Sequence, residues 1–189
     1  MENETLALVA SFVAMLLIAS SYFFKKKELY LLFQAAGMIF LGLNYFFTLE
    51  FFAMLGLAVG LFRALIFFFY EKKDELAPIF WAYLCAGLTL AAYLIVNIND
   101  IKPLDIIYLV SLILYAFIFR IRDLKRMRFT VLAPNFLAVL YNVLIQATPF
   151  AVLSYAFELG ANLVSILKYH VFGKEETERA KTNDCLVKG

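Results

Sequence analysis

Two charged side chains, Arg63 and Glu158, lie inside long apolar runs of this sequence, and Asn162 follows Glu158 by four positions. A charge at membrane depth is expensive and is usually kept where it pairs, faces water or meets a ligand. Residues four apart share one face of a helix, so Glu158 and Asn162 point the same way. Together with Arg63 they make a polar cluster suited to holding a polar small molecule between two helices. The competing reading is a structural Arg63–Glu158 ion pair that locks those helices, and the two readings can coexist. Asn44, Asn142 and Tyr141 are candidate ligand contacts nearer the other end of the bundle, with interhelical hydrogen bonding as the alternative for each asparagine. Asp105 is open between an interfacial position, a proton-titrating role and pairing with a neighbouring helix. Asn135 sits beside Pro134, which can bend its helix.

Other chemistries find no support. The single histidine, His170, builds neither a metal site nor a triad, and Cys85 and Cys185 lack metal-ligand spacing. Cys85 falls in an apolar run and Cys185 in a polar tail, which argues against a disulfide between them. There is no Walker motif, no His-Glu-x-x-His and no Cys-x-x-Cys. The expectation is no metal, no cofactor and no enzymatic activity. The short loops leave no room for a nucleotide-binding domain, so this chain alone is not an ATP-driven pump. The basic stretch Arg120–Arg128 is explained by topology and anionic lipid rather than by nucleic acid.

The elements that must position these residues follow from composition. The chain has 189 residues, 64% hydrophobic, and its 21 phenylalanines outnumber the 17 lysines and arginines. A soluble domain is about half apolar; here lipid must solvate the excess. The apolar runs are about twenty residues long without in/out alternation, which selects helices over barrel strands. Seven spans are predicted at 5–24, 30–48, 51–70, 78–96, 103–119, 130–147 and 150–172. The Met-Glu-Asn-Glu start lacks the basic region of a signal peptide, so the first run reads as a span. Basic clusters follow every odd span: Lys25–Lys27, Lys72–Lys73, Arg120–Arg128, and Lys174 onward. Lys102 is the sole basic residue of the opposite loops. The positive-inside rule then places the N-terminus outside and the C-terminus in the cytoplasm. Gly56 and Gly60 have the spacing of a close helix contact, while Trp81, Tyr83, Lys168 and His170 fit the interfaces.

Sliding one half of the chain along the other pairs Asn44 with Asn142 at a separation of 98, Arg63 with Asn162 and Tyr70 with Tyr169 at 99, and Phe23-Phe24 with Phe119-Arg120 at 96. In a Phe/Leu-rich chain such matches also arise by coincidence. Read as a repeat, they give an all-α, polytopic membrane fold of two parallel three-helix bundles joined by a linker helix, 3+1+3. The spans form a single transmembrane domain, 1–173, with bundles at 5–70 and 103–172 and the linker at 78–96; residues 174–189 form a polar cytoplasmic tail.

The stretch Ser20-Ser21-Tyr22-Phe23-Phe24-Lys25-Lys26-Lys27, then Gly60-Leu61-Phe62-Arg63-Ala64-Leu65-Ile66, and Asn162 before a basic-aromatic tail, resembles the YgjV-type bacterial inner-membrane proteins over most of the chain. Their layout is similar to that of the SWEET sugar carriers and the PnuC vitamin transporters, which bind substrate between two three-helix bundles. The resemblance implies a multi-pass protein of the bacterial inner membrane and a facilitative or ion-coupled transporter. Departures from the SWEET pattern argue against sugar: no Pro-Gln pair stands in the first-helix region, and only Pro134 of the four prolines lies well inside a helix. The many Phe and Tyr side chains suit a planar, vitamin- or nucleoside-like substrate, although lipid-facing bulk is their simpler role. The partners implied are a small-molecule substrate and membrane lipids, with a homo-oligomer compatible and nucleic acid not. Glu158 is the candidate carrier if protons are coupled. The alternative function is a non-transporting structural, assembly or sensor protein of the inner membrane.

Overall fold

The computed structural model describes residues 2–98, 103–145 and 149–172, and among them the secondary structure is entirely helical. The helices are α1 (Glu2–Ser21), α2 (Lys27–Phe47), α3 (Phe51–Lys72), α4 (Ile79–Val96), α5 (Pro103–Ile118), α6 (Leu124–Leu144) and α7 (Pro149–Ile166). A π-helical turn, Leu167–Phe172, continues α7. Four of the helices, α2, α3, α4 and α6, are long and apolar enough to cross a membrane, and Thr5–Ser21 and Pro103–Ile118 are shorter apolar helices. The polar tail from 173 onward, with Cys185, lies outside the described residues.

The largest difference from the sequence boundaries is the start of α6, at Leu124 rather than 130. Asp123 caps it, its side chain accepting from the Lys125 amide, so the basic stretch 124–129 is the first turns of a helix. Two other ends are built alike. After α2, the Leu49 amide donates to the Phe46 carbonyl and the Glu50 amide to Tyr45; after α3, Asp74 donates to Glu71 and Glu75 to Tyr70. Both are Schellman closures with the turning residue in the left-handed region, at φ 61° for Leu49 and φ 55° for Asp74.

Packing follows chain order around a ring. Each helix lies against the next, α7 returns against α1, and α3 touches α5 behind α4. Apolar side chains such as Phe12, Leu16, Phe46, Phe69, Ile95 and Phe136 stand exposed on the outside. The interior instead collects Arg63, Glu158, Gln34, Asn135, Asn142 and Asn162 together with eight tyrosines. An apolar exterior around a polar interior is the arrangement lipid demands, because burial of apolar surface does not drive helices together there and packing with interhelical hydrogen bonds must. Gly56 shows the closeness: a Cβ on it would stand 2.6 Å from Leu112 Cδ1 of α5.

The loops rich in lysine and arginine meet at one end of the ring. There Lys27 Nζ pairs with Glu71 at 2.7 Å, Arg122 pairs with Asp74, and Arg120 Nε donates to the Ala77 carbonyl at 3.0 Å. The carbonyls that follow the end of α1 have no partner within a helix. Ser165 Oγ donates to Tyr22 O at 2.6 Å, Tyr169 Oη to Phe23 O at 2.9 Å and Arg128 Nη2 to Phe24 O at 2.6 Å.

Candidate functional site

A cavity of about 30 Å³ lies between the helices, lined among others by Gln34 and Leu41 of α2, Leu57, Gly60 and Arg63 of α3, Tyr108 and Tyr115 of α5, and Tyr155 and Glu158 of α7. That volume admits one or two water molecules.

Glu158 is the most elaborately held charge. Its Oε1 accepts from Tyr22 Oη at 2.7 Å and from Tyr115 Oη at 3.3 Å. Tyr30 Oη donates to Tyr22 Oη at 3.4 Å, and Asn135 Nδ2 donates to the same hydroxyl at 3.2 Å. Tyr115 Oη also reaches Asn135 Oδ1. The turn after α1 and helices α2, α5 and α6 thus each add a polar group to the network around one carboxylate on α7. A buried tyrosine keeps its ring in apolar packing and must find a partner for its hydroxyl, and a carboxylate accepting from neutral donors is solvated without needing a cation.

Arg63 is 2% exposed and points inward. Its Nη1 donates to the Leu112 carbonyl at 3.1 Å, and its guanidinium lies 5.2 Å from the Tyr115 ring centroid and 4.7 Å from that of Phe119. Ring faces attract a cation, more strongly once water is removed. Arg63 Nε has no hydrogen-bond partner. No ion pair joins Arg63 to Glu158 among the described residues, so the pairing suggested by sequence is replaced by a carbonyl and two rings.

The other sequence candidates are distributed between helices. Asn162 Nδ2 donates to the Arg128 carbonyl at 2.9 Å, a link from α7 to α6. Asn44 Nδ2 donates to Ala7 O at 3.0 Å, joining α2 to α1. Asn142 accepts from Tyr45 Oη at 3.0 Å, joining α6 to α2, and donates to Ala138 O in its own helix. Tyr141 Oη donates to Asp105 Oδ1 at 3.0 Å, which makes Asp105 the partner of a neighbouring helix. Of the six candidates, Arg63 and Glu158 line the cavity.

Of the tyrosines near this centre, sequence reading singled out Tyr141 alone as a ligand contact. Tyr22, Tyr30, Tyr115, Tyr108 and Tyr155 were hidden because tyrosine is routine in apolar runs. The signal available was the need of each buried hydroxyl for a partner, which in a chain with 11 tyrosines implies a shared network. Tyr108 and Tyr155 bond each other at 3.0 Å on the side of the cavity away from the basic end. No group of His, Cys, Asp and Glu among the described residues is arranged to hold a metal ion.

The apolar exterior and the four helices long and apolar enough to cross a membrane define a helical membrane protein. Over residues 5–171 the chain matches the family model of the bacterial inner membrane protein Imp-YgjV, and it belongs to that family. No curated protein and no solved structure matches it.

Proposed function

We propose that this protein carries a small polar molecule across the bacterial inner membrane by alternating access, with Arg63 and Glu158 in its binding site. The observation that carries this reading is a cavity lined by two opposite charges that are not paired with each other. A purely structural pair would meet, because separating buried charges forfeits their attraction and leaves each to be solvated alone.

The architecture that supports rocking is a 3+1+3 repeat. All eight buried positions of α6 fall 97 residues after a buried position of α2. This register shifts the sequence match of Asn44 by one: Asn44 now corresponds to Tyr141, and Tyr45 to Asn142. The bonds correspond too, since Asn44 reaches α1 and Tyr141 reaches α5. In α3 and α7, a shift of 98 makes Leu57 equivalent to Tyr155 and Gly60 to Glu158, and all four line the cavity. Asn162 then corresponds to Ala64 rather than to Arg63. The α1–α7 and α3–α5 contacts are equivalents under the same operation. A central site between parallel repeats is an established transporter plan.

The basic end is taken as cytoplasmic, the N-terminus as outside and the tail as inside. The tyrosines around the cavity suit a small planar ligand. The protein is read as a carrier rather than an enzyme, driven downhill or by an ion, with Glu158 the group that would take a coupled proton. The cavity's small size favours a second reading, a non-transporting assembly or sensor protein with a solid core. Uptake into proteoliposomes decides between them: a nucleoside- or vitamin-like compound selected by thermal stabilisation should accumulate, and Arg63→Ala protein that folds normally should not transport it. Normal uptake by that variant would remove Arg63 from the site.

A further inference from the structure

The charges on the cavity wall have a specific arrangement that bears on what the cavity binds. We infer that its ligand is a zwitterion, with a carboxylate for Arg63 and an ammonium-type cation for Glu158. This inference rests on the carrier reading and narrows it to a substrate class.

Tyr115 stands between the two charges. Its hydroxyl, whose one proton is shared with Asn135 Oδ1, stands 3.3 Å from Glu158 Oε1, while its ring lies under the Arg63 guanidinium. The protein therefore holds the charges apart by one aromatic side chain. It solvates each with groups that carry no opposing charge: two tyrosine hydroxyls for Glu158, and a carbonyl and two rings for Arg63. Arg63 also keeps unused capacity. Arg63 Nε is buried without a partner. The hydrogen bonds from Tyr22 and Tyr115 fall on Glu158 Oε1, the Gln34 and Asn135 amides also interact with the carboxylate, and the residue borders the cavity.

Once the helices part to admit it, a neutral ligand would leave both charges without a counterion. A ligand with a single charge would satisfy one wall and leave the other. A molecule carrying both charges, separated by a short spacer, satisfies both walls and brings no net charge to the membrane centre. Guanidinium offers a planar fork that fits a carboxylate, and a carboxylate beside tyrosine faces suits an ammonium group, which ring faces also attract. Tyr108, Tyr115 and Tyr155 add aromatic lining for a flat substituent.

The experiment uses the purified full-length protein and probe series that share a ring and differ only in charge. One series is tryptophan, tryptamine, indole-3-propionate and indole. Parallel series carry phenyl, imidazole and pyridine rings. Binding is read by calorimetry and thermal stabilisation. The expected result is that the zwitterion of at least one series binds, with its singly charged analogues about 10- to 100-fold weaker, as loss of one charged hydrogen bond implies. Glu158→Gln should erase the preference for zwitterion over anion, and Arg63→Gln that for zwitterion over cation. Because the wild-type series needs no variant, a misfolded mutant does not blunt the test. Best binding by a neutral or singly charged member, or no binding by any zwitterion, overturns the inference. The carrier reading is judged separately by uptake: accumulation of a neutral nucleoside would sink the zwitterion and keep the carrier, whereas a zwitterion that binds without uptake would do the reverse.

Discussion

Tyr45 and Asn142, 97 positions apart, bond each other directly through Tyr45 Oη and Asn142 Oδ1. They also occupy the same point in the burial patterns of α2 and α6. In a twofold arrangement, equivalent residues touch only near the axis. Under the proposed repeat, the pair therefore marks the axis, and Leu41 and Ala138, one turn further into α2 and α6, line the cavity beside it. This bond bridges the two halves on the side away from the basic loops.

Under the proposed carrier function, the Tyr45–Asn142 bond serves as the gate on that side. Tyr45→Phe should lower stability by about 1 kcal/mol, the net value of one buried hydrogen bond. It should also raise the labelling rate of a Leu41→Cys thiol by a membrane-impermeant reagent. An unchanged labelling rate would take the gating role from this pair.

Arg63 and Glu158 should be energetically almost independent. A double-mutant cycle with Arg63→Gln and Glu158→Gln, read from unfolding in detergent, is expected to give a coupling of about 1 kcal/mol or less, transmitted through Tyr115. Breaking a direct buried pair costs about 3–5 kcal/mol. A coupling of that size would show that the two side chains meet in the working protein.

Leu49 holds a left-handed conformation that a Cβ disfavours, inside an otherwise complete Schellman closure. Leu49→Gly should stabilise the protein by about 1 kcal/mol. Asp74→Gly should gain less, because aspartate tolerates that region better. Thermal midpoints rank the two, and a destabilised Leu49→Gly protein would mean that the leucine side chain matters more than the strain.

Among the groups that cap the end of α1, Arg128 donates a charged hydrogen bond and Ser165 a neutral one. Arg128→Met should therefore cost about 1.5–3 kcal/mol and Ser165→Ala about 0.5–1.5 kcal/mol. The reverse order in denaturation experiments would contradict this assignment.

Orientation is testable in intact cells. A thiol at Asn3→Cys should react with an impermeant reagent from outside, and one at Ala180→Cys should not. Labelling of the second position from outside would invert the topology and the side assigned to every gate.

Helix number and rough position were legible because apolar runs and basic loops are long, additive signals. The start of α6 was not, since Lys125, Arg126 and Arg128 read as a loop until the Asp123 cap is recognised. Arg63 and Glu158 stood out because charge is rare at such depth, and both line the cavity. Asn44, Asn142 and Asn162 looked the same in sequence but are engaged with neighbouring helices. Their partners are mostly backbone carbonyls at Ala7, Ala138 and Arg128, which no side-chain pattern reveals. Tyr115 was invisible for a related reason: its importance lies in touching two residues from different helices.

The ring closes where α7 meets α1, and that seam joins the earliest and latest of the described α-helices in chain order. Until α6 and α7 arrive, the carbonyls of Tyr22, Phe23 and Phe24 wait for Ser165, Tyr169 and Arg128, and the hydroxyl of Tyr22 waits for Glu158. The nascent N-terminal half is thus inserted with its final bonds missing. The seam therefore closes only after α7 has been made, and a chain that stops before α7 leaves these carbonyls and the Tyr22 hydroxyl without the partners that the folded ring gives them.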